Sequence, residues 1–379
     1  MDTGLLFQAL IMLIACSFVI NRACESFDLA ASHLGRNMPP GIRGATVNAI
    51  GSSLPELLTT FFLLFVYHDQ AGFAAGLATC AGSAIFNLTV IPALCILTVV
   101  GWWGKQPGKA ASIEVQKQTI IRDGLFLIAA EIALFVLLGE SSLAWWAGLI
   151  LAVIYLFYLA IIILQVKKRR NDGVSHPFVA SDDDAEAGFL RHVLKLDFNN
   201  LLFQGRSLSV GRAWVVLAMA TAFIGLSCHF LATAVIDSAH ALQIAPYFTA
   251  LVLGAAATSV PDTILSIRDA KRQNYDDALS NAVGSNIFDI TIAVGVPLLL
   301  YGLIYHQDIV LSTNVAQTAD LHSLRILLLA ATTLILGLFL FGRKLDRTKA
   351  YIFLGIYGLW TLYAVGRASE WAWILRLTS

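Results

Sequence analysis

The chain has 379 residues, 58% of them hydrophobic and only 13% charged, and its 25 basic and 25 acidic side chains cancel. Soluble domains carry about 45–50% apolar and about 25% charged residues, so an ordinary soluble protein is excluded. Apolar stretches of about 20 residues, enough to cross ~30 Å at ~1.5 Å per residue, recur along the chain without β-barrel alternation, so the expected fold is an all-α polytopic membrane protein.

Ten transmembrane helices are expected, at about 5–30, 41–67, 71–100, 120–139, 143–166, 213–238, 246–268, 276–304, 322–341 and 350–368. No basic residue precedes the first and no small-residue cleavage site follows it, so it reads as a retained helix rather than a signal peptide. The one long polar segment, 167–212, opens on the basic run 167–170, a stop at the cytoplasmic surface. Its acidic run, Asp182, Asp183, Asp184 and Glu186, lacks the Gly and ligand periodicity of an EF-hand loop and reads as a solvated, partly helical linker. The domains expected are therefore a first five-helix repeat (1–166), a cytoplasmic loop (167–212) and a second five-helix repeat (213–379). An odd number of crossings inverts the second repeat relative to the first.

Basic residues orient the chain. With 167–212 inside, every Lys and Arg falls on the inner side except Arg22, Arg325, Arg367 and Arg376, which places both termini outside the cytoplasmic membrane. Trp102, Trp103, Trp145, Trp146, Trp371 and Trp373 lie near span ends and read as interfacial anchors. Cys16, Cys24, Cys80, Cys95 and Cys228 have no metal-type spacing and read as small core residues, with no disulfide framework. His229 reads as a packed polar residue, and Glu131 and Asp237 as pore-lining or structural acids.

Two matching segments interrupt the apolar pattern. GSSLPEL (51–57) and GSAIFN (82–87) in the first half correspond to ATSVPDT (257–263) and GSNIFD (284–289) in the second. A shift of 206 aligns Pro40 with Pro246, Ser53 with Ser259, Pro55 with Pro261 and Glu56 with Asp262. A shift of 202 aligns Gly82 and Ser83 with Gly284 and Ser285, and Asn87 with Asp289; the difference falls in the turn near 67–70. Duplicated, Gly/Pro-interrupted apolar segments point to a transporter site between two repeats, built on discontinuous helices at the midplane.

A Pro inside a span frees a carbonyl one turn earlier and disfavours helix at the preceding residue, so both helices can open there. Freed carbonyls are tolerated in a membrane only around a cavity or ligand. One break offers Ser52, Ser53 and Glu56, the other Thr258, Ser259 and Asp262, and the partner segments add Ser83 and Asn87, Ser285, Asn286 and Asp289. All are oxygen donors, which suits hard cations such as Ca²⁺ and Na⁺. Up to three carboxylates, Glu56, Asp262 and Asp289, are expected to converge near the midplane, where each costs about 2.5–3.5 kcal/mol unless neutralised. A site that must hold positive charge, but can hold different sets, suits an antiporter.

These four motifs resemble the α-repeats of the calcium/cation antiporter superfamily, which contains the sodium/calcium exchangers, and are most like the potassium-dependent sodium/calcium exchanger branch. The resemblance implies a ten-helix inverted-repeat fold and alternating access by sliding of the first and sixth helices past a fixed core. It implies exchange of Na⁺ for Ca²⁺, with no cofactor. Carried over by position, Glu56 and Asp262 are the central Ca²⁺ carboxylates, with oxygens from Ser52 and Thr258. Asn87, Asp289, Ser83 and Ser285 then complete the Na⁺ shell, joined by carbonyls near Ala49 and Ala255. The chain departs from the family pattern at Asp262, where many prokaryotic relatives carry Glu, at Ala257, where Gly is usual, and at Ala84, which faces Asn286. Asp289 resembles the position linked to K⁺, and coupling to K⁺ stays open.

The partners expected are inorganic cations and the lipid bilayer, with no nucleic acid and no obligatory protein partner. The same fold with H⁺ as the coupling ion is the nearest rival reading. Further off are an intramembrane aspartyl protease using Asp262 and Asp289, whose known Gly-x-Gly-Asp motif is absent, and a passive channel.

Overall fold

The structure is a computed structural model that describes residues 2–34, 49–67, 70–103, 110–140, 142–170, 192–193, 195–203, 208–310, 315–341, 344–371 and 374. Pro40, Arg36, Arg43, Lys105, Lys109, Trp373, Arg376 and the acidic run 182–186 lie outside the described residues.

Leu- and Ala-rich runs become long helices, even with Pro92 inside Gln70–Val100 and Pro297 inside Val294–Tyr305, and polar residues cap some of them. The elements are α1 (Thr3–Leu34), α2 (Ala49–Tyr67), α3 (Gln70–Val100), α4 (Lys117–Leu137), α5 (Trp145–Arg170) and the short α6 (Phe198–Phe203). Then come α7 (Val210–Leu242), α8 (Pro246–Thr258), α9 (Val260–Lys271), α10 (Tyr275–Tyr305), α11 (Val315–Leu340) and α12 (Arg347–Ala368). Ser209 starts α7 by accepting the Arg212 amide, and Asp346 starts α12 by accepting that of Lys349 at 3.1 Å. Gln243 and His306, both left-handed, end α7 and α10.

Among the described residues, α1, α3, α5, α7, α10 and α11 are long and apolar enough to cross a membrane. The pair α8 and α9, bent by 40°, makes a seventh candidate. Helices α2, α4 and α12 occupy the other three expected spans, but the apolar part of α2, Ile50–Val66, is shorter, and the other two fall outside that measure. The core centres on α3, 72% of whose apolar window is buried, and on α10, at 61%; α1, at 22%, is peripheral. Helix α1 packs along α7, and both turn apolar side chains such as Ile14, Phe18, Trp214 and Leu226 outward.

Exchanging the two halves maps one set of contacts onto another. Helix α3 packs on α12, and its counterpart α10 packs on α5. The all-α expectation needs one correction, because two short antiparallel pairs join the loops: β1 (Ile113–Glu114) with β4 (Lys344–Leu345), and β2 (Ser142–Leu143) with β3 (Ile309–Val310). These pairs also interchange when the halves are swapped. Each is anchored by buried side chains, Ile113 opposite Leu345 and Leu143 opposite Ile309, which brings loop backbones close enough to satisfy one another.

Close backbone approach tightens this core. A Cβ on Gly82 of α3 would stand 2.0 Å from the Leu251 carbonyl oxygen of α8. A Cβ on Gly148 of α5 would stand 2.3 Å from the Gly295 carbonyl oxygen of α10. Only glycine allows these crossings.

Candidate cation site

The two Pro motifs behave differently. In the second half the chain breaks at Ser259 (φ −79°, ψ 3°), and Pro261 opens α9, where its missing N–H costs nothing. In the first half, α2 runs unbroken from Ala49 to Tyr67 with Pro55 inside it, contrary to the expected opening at 51–56. The carbonyl that Pro55 leaves without an amide is that of Gly51, and it accepts the Cys24 thiol of α1 at 3.4 Å. The Cys228 thiol of α7 reaches the Pro55 carbonyl at 3.7 Å. Two cysteines expected only to fill space thus tie the peripheral helices to the site helix.

The residues picked out from the sequence meet in one buried cluster. Ser52, Ser53, Glu56, Ser83, Asn87, Thr258, Ser259, Asp262, Ser285 and Asp289 are all at most 1% exposed. Ser83 is its hub. Its Oγ lies 3.3 Å from Glu56 Oε1, 3.0 Å from Asp289 Oδ2 and 2.9 Å from Ser259 Oγ, and it accepts Asn87 Nδ2 at 3.3 Å. In the other half Ser285 Oγ donates to Asp262 Oδ1 at 2.8 Å. The halves also cross over: the Thr258 hydroxyl faces Glu56, and the Ser52 hydroxyl faces Asp262. Ser53 stands beside Asp289. The Ala255 carbonyl is engaged by the Thr258 hydroxyl at 3.2 Å and the Ser259 amide at 3.1 Å, while Ala49 opens α2.

The three carboxylates are held on separate helices with hydroxyls between them. Among the described residues, no three acidic, His or Cys side chains form a group that could hold a metal by themselves. The three carboxylates lie within electrostatic reach of one another, in a mixed lattice of carboxylates, hydroxyls and amides. What the lattice leaves over is informative. Glu56 Oε2, Asn87 Oδ1, Asp262 Oδ2, Asn286 Oδ1 and Asp289 Oδ1 are buried and have no hydrogen-bond donor among the described residues. Each such acceptor costs about 1–3 kcal/mol, and more when charged. Each is an oxygen of the kind that hard cations take as a ligand.

Sequence reasoning missed Asn281, whose Nδ2 reaches Asp262 Oδ1 at 3.4 Å and Ser266 Oγ at 3.2 Å. Its spacing of four before Ser285 was the available signal. It also missed Asp28 on α1, whose Oδ1 is buried without a donor. Glu131 lies apart from the cluster, taking the Thr332 hydroxyl at 2.6 Å. His229 packs against the rings of Phe62 and Phe230, as a packed polar residue should.

A helical membrane protein whose halves bring matching polar segments to one enclosed, oxygen-lined cluster has the architecture of a secondary transporter. This chain belongs to the sodium/calcium exchanger protein family, which it matches over residues 8–164 and 212–366. It is 23% identical to human sodium/potassium/calcium exchanger 5, over 96% of this chain and 85% of that protein. Human sodium/potassium/calcium exchanger 4 is 28% identical over 49% of this chain, a match that spans only 27% of that longer protein. The fold is similar to the solved sodium-calcium exchanger NCX_Mj, with a TM-score of 0.55, 21% identity and coverage of 94% of this chain and 97% of that one. It is also similar to the H⁺/Ca²⁺ exchanger CAX, with a TM-score of 0.62, 15% identity and coverage of 98% and 91%.

Proposed function

We propose that this protein is a Na⁺-driven Ca²⁺ antiporter, binding the two ions in turn at the cluster of Glu56, Asn87, Asp262 and Asp289. The observation that carries the reading is the set of donorless buried oxygens on five side chains from both halves. A cation would satisfy them together, and the site is costly without positive charge. Ser52, Ser53, Ser83, Thr258, Ser259 and Ser285 supply neutral oxygens around the carboxylates. The neutral donors favour Na⁺ over H⁺ as the coupling ion, because hydroxyl and amide oxygens bind without titrating. Asp289 is the position through which K⁺ would join.

The same reading has ten crossings in two inverted halves, with α1 and α7 sliding past the rest. The interchange of the α3–α12 and α5–α10 contacts, and of the two strand pairs, supports it. So does the peripheral place of α1. The excess of Lys and Arg in the loops of one side supports a reading with 167–212 in the cytoplasm and both termini outside the cell membrane.

The test is uptake of labelled Ca²⁺ into proteoliposomes preloaded with Na⁺, with and without K⁺, and again with a pH gradient replacing the Na⁺ gradient. Uptake that requires internal Na⁺ supports the proposal. Uptake driven only by the pH gradient replaces Na⁺ with H⁺, and absence of uptake under every gradient overturns the assignment.

A further inference from the structure

Among the described residues, the central cluster continues along α9 and α10. On α9, Asp262, Ser266 and Asp269 recur at intervals of four and three, which places them on one helix face. On α10, Asp277, Asn281 and Ser285 recur at intervals of four, again on one face. The two faces meet: Ser285 bonds Asp262, Asn281 bonds both Asp262 and Ser266, and Asp277 lies within electrostatic reach of Asp269. Exposure rises along this seam. Asp262 and Ser266 are fully buried, Asn281 and Asp269 are half-buried, and Asp277 is exposed. At the buried end stands Asp262 Oδ2, which has no donor among the described residues.

The register that aligns the two halves gives a built-in comparison. Ser266, Asp269, Asp277 and Asn281 correspond to Thr60, Leu63, Ala75 and Thr79 on α2 and α3. Both acids are replaced by apolar residues there, and both threonine hydroxyls are spent on backbone, Thr60 on the Gly76 carbonyl at 3.4 Å and Thr79 on that of Ala75 at 3.0 Å. All four are fully buried. One seam is an acidic, graded opening, whereas its counterpart is sealed and uncharged.

Helix α1 lines the acidic side as well. Asp28 lies within electrostatic reach of Asp262 and Asp269, and Glu25 pairs with Arg268 of α9. Arg268 and Arg272, near Asp269, and Arg22, paired with Glu25 at 3.2 Å, offset part of this charge at the mouth, while Asp28 and Asp269 carry it inward toward Asp262.

We propose that the α9–α10 seam is the access route for cations between the central site and the membrane face bearing Arg268, Lys271 and Arg272, with Asp277, Asp269 and Asn281 as successive steps, and that the matching described positions on α2 and α3 offer no acidic counterpart. Acidic walls of low dielectric concentrate cations at the mouth of such a route. The proposal rests on the cation-site reading, but its geometry can be tested without transport.

Asn281→Cys and, separately, Ser266→Cys are made in the full chain and treated in sealed vesicles of known orientation with cationic and anionic methanethiosulfonates of similar size. The parent chain, whose five native thiols are buried, sets the baseline. The expected result is modification of both variants from the Arg268 face, with the cationic reagent faster by about tenfold, the low end of electrostatic focusing. Adding Asp269→Asn and Asp277→Asn should reduce that preference to near unity. Thr79→Cys approached from the opposite face should show no cationic preference. Failure of both cysteines to react from the Arg268 face, a preference that survives removal of both aspartates, or an equal preference at Thr79→Cys would overturn the route. Loss of Ca²⁺ exchange in the parent vesicles would instead sink the functional reading and leave the labelling result intact.

Discussion

Ser83, on α3 of the first half, donates across the molecule to Asp289 on α10 of the second, Oγ to Oδ2 at 3.0 Å. The same oxygen lies 3.3 Å from Glu56 Oε1. A hydroxyl has one proton to give, so two carboxyl groups from different halves share a donor that can serve one at a time. The shared donor couples the halves. It also leaves one carboxyl oxygen in want of a positive partner, whichever way the proton points.

Ser83→Ala should therefore affect ion affinity more than folding. It removes a bond to a charged group, about 1.5–3 kcal/mol, equivalent to a loss of about tenfold to a hundredfold in affinity. The apparent affinity for Na⁺ in the exchange assay should fall by that factor, with normal yield in the membrane. Unchanged Na⁺ dependence would remove Ser83 from the site.

Glu56→Gln and Asp262→Asn should each abolish Ca²⁺ flux while the protein still inserts. Each keeps the shape of the side chain and removes a buried charge, so thermal stability in detergent should hold or rise. Normal Ca²⁺ transport by both variants would contradict the site.

Asp289→Asn keeps an acceptor for Ser83 and neutralises a carboxylate that stands beside Ser53. If K⁺ accelerates exchange by the parent protein, this variant should lose that acceleration, and its apparent affinity for Na⁺ should fall because Asp289 also belongs to the proposed Na⁺ shell. Retention of a full K⁺ effect would place K⁺ elsewhere.

Gly82→Val should fail structurally. Even the first added carbon would sit 2.0 Å from the Leu251 carbonyl oxygen and 2.7 Å from the Ala255 side chain, so α3 and α8 would have to separate. Overpacking of this kind costs about 1–3 kcal/mol, and more against rigid backbone. The midpoint of thermal unfolding should drop, and flux should fall with it. The counterpart Gly284 has only the Tyr158 hydroxyl nearby, at 3.7 Å, so Gly284→Ala should be mild.

The sequence by itself determined the class, and it singled out most of the residues that the structure gathers into the buried cluster. Hydropathy is a local property, and lipid leaves a helix few alternatives, so span positions can be read without knowing their neighbours. Glu56, Ser83, Asp262 and Asp289 were legible because polar oxygens inside apolar runs are rare and these recur at fixed offsets. Tertiary structure alone decided how they meet: that Ser83 serves Glu56 and Asp289 together, that α2 stays intact through Pro55 while the second half bends at Ser259, and that Cys24 fills the vacancy at Gly51. It also decided that the acidic seam of α9 and α10 opens while its counterpart on α2 and α3 is sealed. Such facts depend on which helix faces pack and at what distance. They are set by pairs on different helices, 27 residues apart for Cys24 and Gly51 and 173 apart for Cys228 and Pro55, and neither periodicity nor spacing within one segment carries that information.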